Sequence, residues 1–299
     1  MLRGLLELPG AAADPQRASN LRALRCVLVA HASVRTWSWV LAGTAPGLVA
    51  TPLYTLPTAI ALTIAAVAVW SNRRRMAASR VAAALVSVEF FLTVLGAANH
   101  VGLEWVALAL FALLDEERDD EAVLLQSSVA WVAALVLFHS GLQKVWHGHY
   151  FGGEFLAWAI AGREQFADAM RYLVPAGELT RLQTLDALRE GSGPFRPAAP
   201  MLVVASNLVW MLEVAIAVLL LSERTRNAAA WGGIAFVLAL QLPAREIHFA
   251  LLFAALMTTW IGAPGMARLR PLWIGAYAYL LAHSFGLVPG EFLVKRMGS

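Results

Sequence analysis

Residues 53–70 and 122–138 run without a single charged side chain, and a helix needs about 20 mostly apolar residues to cross the hydrocarbon core of a bilayer. Runs of that kind leave little choice of fold, because in lipid every backbone N–H and C=O must be satisfied within the protein, and a helix does so within one segment. Composition extends the argument to the whole chain: 59% hydrophobic and only 14% charged over 299 residues, with a mean hydropathy of +0.64, is too apolar for an ordinary soluble domain. The chain reads as an all-α integral membrane protein, a bundle of about nine transmembrane helices. The spans are expected at 25–41, 53–70, 81–98, 101–114, 122–138, 201–221, 228–242, 247–262 and 271–288, the seventh short and broken by Pro243. Residues 1–22 form a cytoplasmic segment, 23–288 a single transmembrane domain and 289–299 a short tail. Within the domain, 139–200 is expected to be a re-entrant or interfacial section capping the outer face between the fifth and sixth helices.

Arginine orients the bundle. Arg73 to Arg80, Arg224 with Arg226, and Arg268 with Arg270 occupy alternate loops, and short basic loops stay cytoplasmic. With about nine spans the N-terminus lies inside and the C-terminus outside. In a membrane protein the net charge of +3 marks orientation and gives no reason to expect nucleic acid. The single cysteine, Cys26, says nothing about redox compartment. The acidic run Asp115 to Glu121 contains Glu116-Glu117 but lacks the arginine a CAAX-protease-like motif needs, so it reads as a solvated loop.

Of the 23 basic residues, 21 are arginine, and Lys144 is the only lysine away from the C-terminus. Lysine, unlike arginine, can become a neutral amine when its surroundings disfavour charge. It lies in a stretch, His139 to Glu154, that also holds His139, His147 and His149. The orientation places this stretch on the outer face together with Asn99-His100 and Arg245-Glu246-Ile247-His248. There a desolvated Lys144 could act as a base, His100 could relay a proton and Asn99 could hydrogen-bond a developing oxyanion. The plainer reading of Lys144 is a snorkelling anchor at a helix end. His31 and Arg35, one turn apart on the first span, are expected to pair with each other or with a backbone carbonyl. No established metal-ligand spacing, nucleophile elbow or phosphate-cradling loop occurs, and no metal is expected.

Phe138-His-Ser-Gly141-Leu142-Gln-Lys144-Val145, with Gly153 beyond it, resembles a signature of the transmembrane domain of vitamin K-dependent gamma-glutamyl carboxylases. Asn99-His100 before a leucine-containing span with Phe111 is similar to a second signature, and Arg25 is a looser third match. These enzymes belong to the wider HTTM (horizontally transferred transmembrane) group, which includes many bacterial single-domain members. The resemblance implies an HTTM-like domain in a bacterial cytoplasmic membrane and quinol chemistry, with carboxylase or epoxidase activity. Lys144 would be the base on a reduced quinone, vitamin K hydroquinone or menaquinol, with His100 and Asn99 as its neighbours. Oxygen and CO2 would be co-reactants. Gly141, Trp146, Gln241, Arg245, Glu246 and His248 are expected to line the cofactor or substrate site. The implied partners are membrane lipid or quinone, and a peptide or a partner membrane protein. The sequence departs from the carboxylases at Gln143 and Gln241, the latter standing where they carry a histidine, and no counterpart of their large lumenal domain is expected after the last span. Peptide glutamate carboxylation is therefore not expected. The competing reading is a non-catalytic membrane protein: a peptide-toxin maturation, export or immunity component, or a lipid-binding partner subunit.

Overall fold

The computed structural model describes the backbone of residues 7–11, 14–42, 52–72, 74–93, 99–185 and 195–289. Among the described residues there are twelve α-helices and no strand-containing sheet. In chain order these are α1 (Arg17–Ala42), α2 (Pro52–Trp70), α3 (Arg75–Thr93), α4 (Asn99–Leu113), α5 (Asp119–His147) and α6 (Glu154–Gly162). Then follow α7 (Glu164–Met170), α8 (Ala176–Gln183), α9 (Pro200–Leu221), α10 (Arg226–Ala244), α11 (Ile247–Met257) and α12 (Ala263–Ser284). Four of them, α2, α5, α9 and α10, are long and apolar enough to cross a membrane. Their outward faces carry large apolar side chains, among them Leu53, Ile64, Val67, Val218 and Leu242. Such a surface is unfavourable in water and suits hydrocarbon.

α1 is the axis of the bundle. It has no glycine or proline over 26 residues, and it packs against α2, α4, α5, α11 and α12. Leu21, Leu24, Leu28, Val29 and Ala32 are fully enclosed in the main apolar core. The same helix buries Arg25, His31 and Arg35, so the most central element is also the most heavily charged in its interior.

α5 runs further than expected. The sequence predicts a fifth span over 122–138 and an outer-face section from 139; the helix continues to His147. Asp119, Asp120 and Glu121 in its first turn and Lys144 and His147 in its last complement the helix dipole. Gly148 ends it in the left-handed region at φ 75°, its N–H bonding to the Lys144 carbonyl at 3.2 Å. His139 and Lys144 are therefore held on regular helix. Pro243 lies in the last turn of α10, which ends one residue later at Ala244, with Arg245 at φ 54°.

The acidic connection between α4 and α5 is exposed at residues 117–120, as expected of a solvated loop, but not at Glu116. Glu116 is fully buried and pairs with Arg25. Arg25 also donates to Ser79 Oγ at 2.8 Å and to the carbonyls of Phe111 at 2.7 Å and Leu114 at 3.0 Å. This one guanidinium ties together α1, α3, α4 and the turn into α5. Nearby, Arg75 bonds to Asp115 at 2.8 Å and lies 3.0 Å from Glu117. Burial pushes the Asp115 carboxyl up, but the Arg75 hydrogen bond and charge outweigh it and hold the group below its ordinary range.

Between α5 and α9, helices α6 to α8 close around a separate small core that includes Leu156, Ile160, Phe166, Leu182, Phe195 and Leu202. The aromatic-containing stretches 155–161 and 166–173 fall on α6 and on α7 with its following turn.

Candidate functional site: a lysine–glutamate pair beside a buried ionic interior

α5 and α9 meet closely because Gly141 faces α9. A Cβ added there would lie 2.7 Å from Val214 Cγ2 and 3.2 Å from the Trp210 carbonyl oxygen. Ser140 and Lys144, one turn apart on α5, face the same partner. Lys144 Nζ donates to Ser140 Oγ at 2.7 Å and to Glu213 Oε1 and Oε2 at 2.7 and 2.8 Å. Ser140 Oγ donates to Glu213 Oε1 at 3.1 Å. The side chains of Lys144 and Glu213 are only 16% and 6% exposed, so the attraction between them is weakly screened. Lys144 is thus neither an isolated desolvated amine nor a cation reaching for solvent.

Aromatic side chains surround this pair. The Tyr150 ring lies 5.4 Å from Lys144 Nζ and stacks on Phe155 at 4.6 Å between centroids. Phe151 meets Trp210 edge-on at 5.8 Å. Asn207 on α9 fixes the turn by donating to the Phe151 carbonyl at 3.1 Å, and Trp210 Nε1 donates to Asn207 Oδ1 at 3.0 Å. Burial, and then the nearby Glu213 charge, push the Tyr150 hydroxyl well above its ordinary value. It stays protonated at physiological pH.

The opposite face of α5 is a groove of about 270 Å³ lined by Leu135, Phe138, His139, Leu142, Gln143, Trp146 and His147. A helix advances 100° per residue, so Leu135, His139, Leu142 and Trp146 point away from the Ser140, Gly141 and Lys144 side, while His147 lies at its edge. Trp146, expected to line the site, is 83% exposed on this outer face. His149 approaches Glu154 at 3.3 Å. Among the described residues no group of three or more His, Cys, Asp or Glu side chains could hold a metal ion.

A second polar centre lies inside the bundle. Arg35 Nε donates to Glu104 Oε2 and Arg35 Nη2 to Glu89 Oε2, both at 2.6 Å. Thr36 Oγ1 donates to Glu89 Oε1 at 3.1 Å. The guanidinium stacks over Trp39 at 4.2 Å. One turn earlier on α1, His31 Nδ1 is 3.0 Å from the Tyr277 hydroxyl, and its ring meets His248 edge-on at 5.8 Å. His31 and Arg35, expected to pair with each other or with backbone, instead take partners from four other helices, with His248 on α11, Tyr277 on α12, Glu89 on α3 and Glu104 on α4.

The residues expected to form one outer-face site have contacts in separate places. Lys144 and Gly141 belong to the α5–α9 pair. His248 belongs to the interior centre. Arg245 reaches Asp168 on α7 at 3.5 Å, and Glu246 is the residue that opens α11. Gln241 is buried on α10 and donates to the Val237 carbonyl at 3.2 Å. Asn99 and His100 open α4 as its first two residues, and their side chains lie outside the described residues. Glu213 and Glu104 were not anticipated from the sequence. Each is a lone carboxylate inside an apolar helix, and that isolation is itself a signal, since intramembrane charges are costly enough to be kept for a purpose. No family model, no curated protein and no solved structure matches the chain.

Proposed function

We propose that the chain is a multi-pass membrane enzyme of the kind the carboxylase resemblance implies, with the Lys144–Glu213 pair as its acid–base unit acting on a quinol-type lipid at the non-cytoplasmic face. In this reading α1 to α5 and α9 to α12 are nine crossings. Helices α6 to α8 form a cap, the N-terminus is inside and the C-terminus outside. The alternate arginine-containing loops support that orientation.

The observation that carries the reading is the contact of Lys144 Nζ with both oxygens of a buried carboxylate. A lysine must shed a proton before it can serve as a base. Glu213 provides an acceptor at 2.7 Å, so ammonium–carboxylate can convert to amine–carboxylic acid without a third group. Low dielectric narrows the gap between the charged and neutral forms, because desolvation penalises the charged one. Ser140 holds both members in register. Tyr150, Phe151 and Trp210 present flat apolar faces suited to a ring, whereas the groove on the far side of α5 does not face the amine. A quinol, when bound, would supply the oxygen-dependent ring chemistry. The chain's part is to take one proton at Lys144 Nζ and to keep water from the pair.

A second reading, a structural clasp in a non-catalytic protein, is favoured by one feature: the amine already meets three oxygens, and Gly141 lets α5 close on α9 around them. The two readings part on Lys144→Arg, which keeps the charge but cannot deprotonate. Protein in lipid nanodiscs would be given reduced menaquinone or reduced vitamin K with oxygen and labelled bicarbonate, and epoxide and fixed label would be followed. The enzyme reading expects turnover to fall at least ~100-fold in Lys144→Arg and Lys144→Ala. Full turnover in Lys144→Ala overturns it.

A further inference from the structure

Among the described side chains, the Arg35–Glu89–Glu104 cluster has a charge count that does not close. Arg35, Glu89 and Glu104 are 0–1% exposed, and together they offer one cation against two carboxylates. A buried, uncompensated charge is expensive enough that such a group takes up a proton instead. The hydrogen bonds say which group takes it. Glu89 uses both oxygens, Oε2 with Arg35 and Oε1 with Thr36. Glu104 uses only Oε2; its Oε1 is buried and has no hydrogen-bond partner among the described residues. Arg35 Nη1 is likewise buried without a hydrogen-bond partner among the described residues.

We propose that the Arg35–Glu89–Glu104 cluster is a proton-binding site in the membrane interior, holding one exchangeable proton on Glu104 Oε1 at neutral pH. It is separate from the Lys144–Glu213 pair and does not depend on any role for that pair. The charged groups acting on Glu104 are Arg35 from α1 and Glu89 from α3. Tyr277 of α12 faces the same interior through its hydroxyl. His31 bonds to that hydroxyl, and His248 on α11 lies edge-on against His31. Lys144 of α5 is engaged by Glu213. His100, one turn before Glu104 on α4, has its side chain outside the described residues. Binding and release of the proton change the cluster from neutral to net negative. The element that responds is α1, because Arg35 links it to both α3 and α4 at this level of the bundle.

Infrared spectroscopy on the full chain in lipid vesicles tests this directly, because a protonated carboxylic acid has a C=O stretch that shifts in heavy water and is separate from carboxylate bands. The wild-type protein should show such a band at neutral pH and lose it on alkalinisation. Glu104→Gln, a neutral isostere of the protonated form, should fold at neutral pH and lack the band. Glu89→Gln balances Arg35 against Glu104 alone and should also lose the band at neutral pH. Gly232→Ala on α10, where an added Cβ meets nothing within 4 Å, should keep it. Absence of a titrating band in the wild type overturns the proposal, as does its persistence in Glu104→Gln. Failure of Glu104→Gln to fold where the wild type folds also overturns it, since the isostere reproduces the proposed charge state.

Discussion

Lys144 on α5 donates to both carboxylate oxygens of Glu213 on α9, at 2.7 and 2.8 Å, with Ser140 bridging the two. Each residue therefore depends on the other. Removing only the amine leaves a carboxylate that is 6% exposed without its cation. Breaking one side of a buried pair costs about 3–5 kcal/mol, while replacing both sides by apolar groups of similar shape is far milder. Lys144→Met should lower the thermal unfolding temperature in detergent sharply, and Lys144→Met with Glu213→Leu should recover most of the loss. If the double variant is as unstable as the single, the pair does not couple the helices.

Close approach of α5 and α9 rests on Gly141, where a Cβ would come within 2.7 Å of Val214 Cγ2 and 3.2 Å of backbone. Gly141→Ala should therefore cost about 1–3 kcal/mol through overpacking. Gly232 on α10 offers the contrast, being helical with nothing within 4 Å of the added atom. Gly232→Ala should raise stability by about 0.5–1 kcal/mol, from helix propensity alone. Thermal unfolding of the two variants side by side checks the opposite signs.

Much of the helix layout was legible because it follows from local rules. Charge-free runs at 53–70 and 122–138 lie on α2 and α5, and the rarity of lysine drew attention to Lys144. What could not be read was partner choice. Glu213, Glu104 and Glu116 come from segments 69 or more residues away from the cations they meet, and only the packing of α1, α4, α5 and α9 brings them together. The acidic run at 115–121 has the composition of a solvated loop, yet Arg25 draws one of its carboxylates inside. Likewise, the helical continuation of α5 past residue 138 depends on α9 sheltering Ser140 and Lys144, which leaves no mark on hydropathy.

The section between α5 and α9 carries a pH response of definite sign. The Arg181 hydrogen bond holds the Glu178 carboxyl below its ordinary range; burial opposes this and is outweighed, with the Ala198 N–H adding a second hydrogen bond. A depressed carboxylate stabilises the fold fully above the unfolded value of about 4.3, and that contribution is lost as pH falls through the lower folded value. Protection of the amides of α8 and residues 195–199, corrected for the intrinsic pH dependence of exchange, should therefore fall below about pH 4 in the wild type. Glu178→Gln should exchange faster at neutral pH and show little further change on acidification.

Arg25 tests whether the opposite end of the bundle is held by geometry or by charge alone. Its guanidinium donates to Ser79, to the carbonyls of Phe111 and Leu114, and to Glu116, and it lies 5.1 Å over the Phe111 ring. An ammonium is a compact charge without the planar fork and cannot reach this set at once. Arg25→Lys should therefore be clearly destabilising despite conserving charge, leaving at least two carbonyls short of their donor at about 1–3 kcal/mol each. Arg25→Ala should be worse by the further cost of stranding the Glu116 carboxylate, and adding Glu116→Gln should recover part of that difference. Thermal unfolding of the three variants in the same detergent gives the ranking. An Arg25→Lys protein as stable as the wild type would show that charge alone holds α1 to α3 and α4.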